Sequence, residues 1–373
     1  MKDILERLFP DVPTEDRLKA LESYCVANKK GRELLAESVK GISHKDFEEA
    51  HKMVTKLYEP EFLKLKEATD GVQLGMGEFH TELNRLKLFN GMPLMTVGMN
   101  EMFALYNFFL YGSKIYSISH NLSMRFKATN IKSVPIELLK LPFKSFQLNI
   151  PEGVLKYQTY EGKDIFIKEI IVTDFYEKEN QKRYLHINHR TYDDIGYFKI
   201  TIGEDEVHKC VDESIKSMAE FAEKEREATG QEPEFNELHK QEIKDIFEFT
   251  VKSILYITGA DADVRWVDES LGLTSQLARA KARGKRKKLE RRLANAKKMY
   301  LVGHTIILSR EEKVMYRGLE QGLWKLSYRF IVQGHWRQQA YGEKNSLRKL
   351  IFIEPFWKGP KFSDVVNNPH LIK

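Results

Sequence analysis

In the stretch Arg183-Tyr184-Leu185-His186-Ile187-Asn188-His189, the apolar Leu185 and Ile187 alternate with the polar His186 and Asn188. Alternation with a period of two is typical of a β-strand that buries one face. Three neighbouring runs, 146–150, 165–172 and 197–202, alternate in the same way or are rich in β-branched and aromatic residues. The four runs together predict an antiparallel meander at the centre of the chain.

Helical spacing of apolar residues surrounds these central runs. Residues 1–90 and about 100–116 show it before the runs, and 206–228 and 235–257 show it after them. A further helix is predicted over 269–300.

Shorter strand-like runs then close the chain, so we predict an α+β protein. Its parts are a helical N-terminal region over 1–132, a central antiparallel sheet covered by helices over 133–268, and a basic C-terminal β-hairpin module over 269–373.

Composition excludes several classes of protein. An apolar fraction of 42% and a charged fraction of 31% are typical of a folded globular chain. No run approaches ~18 consecutive apolar residues, and the first residues lack the apolar core of a signal peptide, so we expect no membrane association. The two cysteines, Cys25 and Cys210, suit a reducing cytoplasm, where we expect the protein. Motifs for a metal or a cofactor are missing, so we predict neither.

Charge is distributed unevenly along the chain. Residues 278–373 hold 23 Lys or Arg against 7 Asp or Glu, a net charge of +16. The whole chain carries +6, which leaves −10 for residues 1–277. A basic C-terminal part on an acidic body indicates a polyanionic partner.

Cations are densest between Arg279 and Lys298, where eleven Lys or Arg accompany the single acid Glu290. Such crowding costs an isolated helix free energy, which phosphate contacts would offset. An apolar stripe of Leu289, Leu293, Ala296 and Tyr300 could dock this helix on a domain. The stripe is narrow, which disfavours a membrane surface, but a merely solvated basic helix stays open. The candidate phosphate ligands are Lys285, Arg286, Lys287, Lys288, Arg291 and Arg292.

Aromatic and basic residues are interleaved further along, from Gly334 to Gly342 and from Ile353 to Gly359. The pattern predicts a β-hairpin with a wide loop. Aromatic rings stack on unpaired bases and cations pair with the phosphates, so the pattern suits single-stranded RNA, although some of these rings should belong to a core. The candidates are Trp336, Arg337, Tyr341, Arg348, Lys349, Trp357 and Lys358.

His335 allows a catalytic alternative. With Arg337 and Tyr341 it could cleave RNA, the imidazole moving a proton and the guanidinium stabilising the phosphorane. A histidine that orders the loop by donating to a carbonyl is the simpler explanation, since no second base is identifiable.

The tail motifs resemble a C-terminal pattern of proteins carried by phages and plasmids. That pattern is a Gly-His-Trp-Arg hairpin, here Gly334–Arg337, followed by a Pro-containing strand and a Lys-Gly pair, here Ile353–Gly359. The stretches Leu110–Lys114 and Asp261–Val264 are similar to the same proteins, a family of type V-A anti-CRISPR proteins that lower the mRNA of their target effector nuclease.

The resemblance implies a regulator that recognises a nascent polypeptide during translation and promotes decay of the encoding mRNA. The implied partners are RNA or the ribosome, together with a protein or nascent polypeptide. Two other functions stay open: an endoribonuclease built on His335 and Arg337, and a non-enzymatic inhibitor whose basic helix pairs with an acidic protein surface.

Overall fold

The structure, a computed structural model, describes most of the chain from residue 58 onward. The described residues are 58–88, 96–131, 134–158, 164–177, 180–190, 195–203, 206–229, 237–294, 296, 298–309, 312–313, 316 and 330–358. Helices predicted before residue 58 lie outside them.

The protein has the expected α+β architecture. Residues 58–68 are helical, and the helices that follow are α1 (Met76–Arg85), α2 (Thr96–Leu110), α3 (His120–Lys127), α4 (Val207–Thr229), α5 (Glu237–Ile257), α6 (Ser270–Arg279) and α7 (Arg283–Ala294). The strands are β1 (Ile115–Ile118), β2 (Ser145–Asn149), β3 (Lys156–Gln158), β4 (Asp164–Phe166), β5 (Glu169–Glu177), β6 (Lys182–Arg190), β7 (Ile195–Ile202), β8 (Val264–Asp268), β9 (Lys298–Val302), β10 (Phe330–Val332), β11 (His335–Tyr341), β12 (Leu347–Ile353) and β13 (Phe356–Lys358). None of the described helices is long and apolar enough to cross a membrane.

Seven strands form a mainly antiparallel sheet in the order β7-β6-β5-β2-β1-β9-β8. The predicted meander is confirmed in β5, β6 and β7, where Asn188 lies opposite both Ile171 and Tyr197. Strands β1 and β9 pair in parallel, with Tyr116 opposite Tyr300.

The single strand predicted over 165–172 is wrong. Two separate strands, β4 and β5, occupy this stretch, because its two halves pair with different partners. Residues of β4 pair with β3, where Ile165 lies opposite Tyr157, whereas β5 pairs with β6.

One compact unit comprises the described residues within Met1–Lys114, Phe143–Gln147 and Lys156–Ile202. Its core packs helix 58–68, α1 and α2 against β5 and β6. The largest of its buried side chains are Tyr58, Phe62, Phe79, Met102, Phe103, Tyr106, Phe175 and Tyr184. The burial of α2 on nearly every side confirms what its almost wholly apolar sequence predicted.

His186 is buried in this unit between aromatic rings. Its ring centroid lies 5.7 Å from that of Phe103 and 5.6 Å from that of Phe175, and its Nδ1 lies 3.1 Å from the Tyr197 hydroxyl. Burial, with a smaller contribution from the Lys199 charge, lowers the pKa of His186 to about 3. The imidazole is therefore neutral at physiological pH.

The other compact unit comprises the described residues within Ile115–Pro142, Leu148–Leu155 and Gly203–Lys373. Ser119 fixes the start of α3, because its hydroxyl accepts a hydrogen bond from the Leu122 amide at 3.2 Å and donates one to the Gly303 carbonyl at 2.6 Å. This contact ties α3 to the loop that follows β9.

Candidate nucleic-acid interface

The basic part of the chain is a helical hairpin inserted between two neighbouring strands. Asp268 ends β8 and lies opposite Lys298, the first residue of β9, with 3.1 Å between Asp268 Oδ2 and Lys298 Nζ. The chain between them folds into α6 and α7. We call residues 270–294 the cationic hairpin.

The single helix predicted over 269–300 is therefore wrong. Ala280 leaves the helical conformation with φ −79° and ψ 111°, which ends α6. Residues 298–302 are instead a strand between β1 and β8, because Met299, Tyr300 and Val302 suit a paired and half-buried position. Tertiary pairing overrides the local helical spacing here.

An apolar seam holds the two helices of the hairpin together. Leu273 and Ala280 of the α6 arm pack with Leu289 of α7, whose side chain is 4% exposed. The partly buried residues that join them are Leu277, Leu293 and Ala296. The predicted stripe is confirmed at Leu289, Leu293 and Ala296.

The predicted phosphate ligands of α7 are all exposed. The helix carries seven Lys or Arg and one acid, Glu290, which pairs with Arg286 at 3.3 Å. Among the described residues, Lys285, Lys287 and Lys288 form no ion pair. Their like charges repel one another, and a bound polyanion would relieve that repulsion.

A groove lies along one side of the hairpin. It encloses about 770 Å³ and is lined by Glu269, Leu273, Gly284, Lys287, Lys288, Arg291 and Arg292. Four cations face one carboxylate in this groove, so it favours an anionic occupant. Lys287 and Arg291 are four residues apart, as are Lys288 and Arg292, which places the four cations on one side of α7.

The second predicted element, the aromatic and basic tail, docks through Gly334. The Gly334 amide donates to the Ala128 carbonyl at 2.9 Å, and the Gly334 carbonyl accepts from the Asn130 amide at 3.1 Å. A Cβ on Gly334 would clash with Thr129 Oγ1 and lie 2.9 Å from Pro355 Cδ. Only glycine fits this approach of two backbones.

The tail forms the predicted β-hairpin, in which β11 pairs with β12. Trp336 lies opposite Phe352 with ring centroids 4.9 Å apart, and both rings pack on Phe126 of α3. Tyr256 of α5 contacts Phe352 at 5.8 Å. The Trp336 side chain is 8% exposed and packs in this aromatic cluster. Its stacking on bases stays a prediction, and the groove of the cationic hairpin does not involve it.

An ion pair fixes the same hairpin to α3. Arg125, 9% exposed at its side chain, pairs with Glu354 and lies 3.2 Å from Glu312. The Gly-His-Trp-Arg and Ile-Glu-Pro motifs therefore supply a tryptophan and a glutamate that attach the tail to α3, and a glycine that attaches it to residues 128–130 just after α3.

The other predicted tail residues divide between the two faces of the hairpin. Directly opposite residues of an antiparallel pair share a face. The docked face carries Trp336, Gln338, Ala340, Arg348, Leu350 and Phe352, and the opposite face carries His335, Arg337, Gln339, Tyr341, Leu347, Lys349, Ile351 and Ile353. Arg337 and Arg348 thus point to opposite sides, although the Arg348 side chain is exposed.

The catalytic candidates share a face but spread along it. His335 and Tyr341 are six positions apart, which is about 20 Å along a strand. His335 Nδ1 lies 3.2 Å from the Gln333 carbonyl oxygen, the contact expected of a loop-ordering histidine. His335 and Tyr341 therefore cannot act on one phosphate, while Arg337 remains two residues from His335. Trp357 and Lys358 belong to β13, which pairs with β10 through its backbone, and their predicted roles stay predictions.

Two aromatic residues that sequence analysis did not single out for binding lie beside the cationic hairpin. Trp266 of β8 is 46% exposed and lies opposite Tyr300 of β9, with ring centroids 4.8 Å apart. The only signal in the sequence that could have identified Trp266 as a binding residue is its position next to Arg265, shortly before the basic segment.

Among the described residues, no cluster of three or more His, Cys, Asp or Glu side chains could hold a metal ion.

Comparison with known proteins identifies a family and a solved structure that this chain is similar to. The family model described as AcrVA2-like, anti-CRISPR type V subtype A2, matches residues 116–359. The solved crystal structure of AcrVA2 is similar with a TM-score of 0.45 and 11% identity, over 85% of this chain and 97% of that one. A search of the curated proteins finds no match.

Proposed function

This chain belongs to the AcrVA2-like family of type V subtype A2 anti-CRISPR proteins, and on that premise we propose that it is an RNA-binding regulator. In this proposal the cationic hairpin binds RNA in the host cytoplasm. The protein recognises a polypeptide target as it is translated and promotes decay of the encoding mRNA. The last step follows from the resemblance of the tail motifs to type V-A anti-CRISPR proteins that lower a message.

The observation that carries the proposal is the groove of the cationic hairpin. Lys287, Lys288, Arg291 and Arg292 line it on one side of a helix whose other side is buried at Leu289. Cations held on a fixed scaffold suit a chain of phosphates, because each contact releases counterions. A solvated basic helix would need no apolar seam to orient its charges.

The two alternatives have less support. A ribonuclease would need a second titratable group near His335, and the spread of the candidates along β11 does not supply one. A protein inhibitor would meet an acidic surface through the same cations, so binding experiments must separate it from RNA binding.

The first test measures RNA binding by the full chain, because a truncation at residue 277 would also remove β9 from inside the sheet. We would compare Lys287→Gln/Lys288→Gln/Arg291→Gln with Lys64→Gln/Lys140→Gln/Lys216→Gln, which removes three exposed cations elsewhere. Binding to an unstructured single-stranded RNA would be followed from ~50 to ~300 mM salt.

The wild type should bind with a steep salt dependence. The groove variant should lose about 2 from the slope of log affinity against log salt, at about 0.7 per phosphate contact. The matched control should bind like the wild type. Equal behaviour of the two triple variants, or no binding at low salt, would contradict RNA binding by the groove. Cleavage of the RNA that His335→Ala abolishes would move the protein to the ribonuclease alternative.

A cellular measurement tests the remaining step. In cells that express a type V-A effector, wild-type protein should lower the effector mRNA, and the groove variant should leave it near its unperturbed level. A message lowered equally by both proteins would separate mRNA decay from the groove.

A further inference from the structure

An aromatic row crosses three neighbouring strands beside the cationic hairpin. Trp266 of β8 lies opposite Tyr300 of β9, and Tyr300 lies opposite Tyr116 of β1. The rings of Tyr116 and Tyr300 are stacked, with centroids 4.7 Å apart and planes 19° from parallel. The Trp266 ring continues the row at 4.8 Å, tilted by 58°.

Exposure increases along this row. Tyr116 is 3% exposed, Tyr300 is partly buried, and Trp266 is 46% exposed. The buried end of the row, Tyr116 and Tyr300, therefore holds the Trp266 ring in place, and the indole is exposed on β8, the last strand of the sheet. Nearly half of its large apolar surface meets water, which is a cost that a stacking partner would remove.

The row lies at the base of the cationic hairpin. Along β8, residues 266 and 268 share a face, and Asp268 holds the exposed Lys298 at 3.1 Å. The next residue, Glu269, already lines the groove. Three residues of extended chain span about 10 Å, so Trp266 lies within about that distance of the groove entrance along the backbone.

From this juxtaposition we infer that Trp266, backed by Tyr300, stacks an unpaired base of an RNA strand whose phosphates occupy the groove. The inference rests on the proposed function, since it needs the strand to be bound by the hairpin. It adds a preference for unpaired bases over duplex or bare phosphate chain.

Single-stranded nucleic acid fits this surface better than a protein does. Base stacking on an aromatic side chain needs one exposed ring with cations nearby, and it tolerates any base. An apolar protein contact would need a broader patch around Trp266. Its neighbours on the same face of β8 are only the partly buried Val264 and the ion-paired Asp268.

The test compares two ligands of equal charge: oligouridylate, and an abasic ribose-phosphate oligomer of the same length. Wild-type protein should bind oligouridylate about 5- to 150-fold more tightly than the abasic oligomer. Trp266→Ala should remove most of that preference, and Trp266→Phe should retain it. Trp266→Leu, which keeps apolar volume but lacks a ring, should behave like Trp266→Ala.

The salt slope distinguishes this site from the groove. Trp266→Ala removes no phosphate contact, so its slope should equal that of the wild type. A wild-type preference for bases that persists in Trp266→Ala would overturn the platform and leave the groove intact. A salt-dependent wild type that binds both oligomers equally would do the same. No binding of either oligomer by the wild type would overturn the proposed function as well. Thermal unfolding of each variant checks that the fold is kept.

Discussion

Gly334 shows how a single residue decides where the tail docks. Its backbone lies against residues 128–130 of the chain segment after α3, and both of its backbone hydrogen bonds are satisfied there. Trp336 then enters the aromatic cluster with Phe126 and Phe352. In the Gly-His-Trp-Arg motif, where we expected catalysis or RNA binding, Gly334 and Trp336 thus serve to attach the tail.

We predict that Gly334→Ala destabilises the protein by about 1–3 kcal/mol, as expected when an extra methyl group is forced into a packed site. The methyl group would clash with Thr129 and crowd Pro355. The free energy of unfolding in urea measures the loss. Gly272→Ala is the matched control, because nothing lies within 4 Å of its added Cβ in α6, and it should raise stability slightly or leave it unchanged. Equal effects would contradict the close approach.

His186 makes the stability of the protein depend on pH. Its pKa of about 3 in the fold lies below the ordinary value of 6.5, so the unfolded chain binds a proton first as pH falls. The stabilisation is complete above about pH 6.5 and is lost as pH falls toward 3, by at most about 1.4 kcal/mol per pH unit.

We therefore expect His186→Gln to flatten the pH dependence of the free energy of unfolding between about pH 6.5 and 4.5. Whatever the absolute stability of the variant, the slope in this window is the measured quantity. Urea unfolding at a series of pH values gives it, with the wild type as reference. An unchanged slope would mean that His186 is protonated equally in both states.

At the scale of elements, an apolar seam packs the two helices of the cationic hairpin against each other. We predict that Leu289→Ala, at a residue 4% exposed, destabilises α6 and α7 by about 2–5 kcal/mol. Faster amide hydrogen exchange over 270–294 would show it. Leu271→Ala, the same change at a residue 70% exposed on α6, should leave exchange unaltered. Equal exchange in the two variants would exclude the seam.

Local periodicity predicted elements that pair with near neighbours and failed where the partner is distant. The alternation around Leu185 predicted β6, whose partners β5 and β7 adjoin it in sequence. Tyr300 continued the helical spacing of Leu289 and Leu293, so it was assigned to a helix. Its strand forms because β1 lies beside it, and no pattern in residues 269–300 contains that information.

The candidate site was predicted in part for a similar reason. Charge density alone identified Lys287 and Lys288, which are exposed. For Trp336 and Arg337, alternation shows that they lie on opposite faces but not which face is docked. Trp266 was missed because it lies between two predicted helices, outside every alternating or basic run that the sequence analysis used.

At the scale of the whole molecule, much of the positive charge lies in a segment that is inserted between two strands and is not part of the sheet. Residues 269–297 contain ten Lys or Arg and two Glu, a net charge of +8, and they leave and rejoin the sheet at the paired residues Asp268 and Lys298. The hairpin can therefore be removed without breaking a strand pair.

We predict that replacing residues 269–297 with a short Asn-Gly turn leaves a folded protein with a formal charge of −2, down from +6. RNA binding should be lost, and the thermal midpoint should change by a few degrees at most. A circular dichroism melt and the RNA titration measure the two quantities. Retained RNA binding would exclude the cationic hairpin as the RNA-binding element.

The docking of the tail also has a consequence for biosynthesis. Thr129 bridges Gly334, and Phe126 meets Phe352, so partners more than 200 residues apart complete one cluster. Chains are made from the N-terminus onward, and long-range pairings close late. Until β11 and β12 have been synthesised, Phe126 and Tyr256 lack the strands that cover them. A chain released from a ribosome that stalls before residue 352 would therefore expose these aromatic side chains, and chaperones and proteases would act on it.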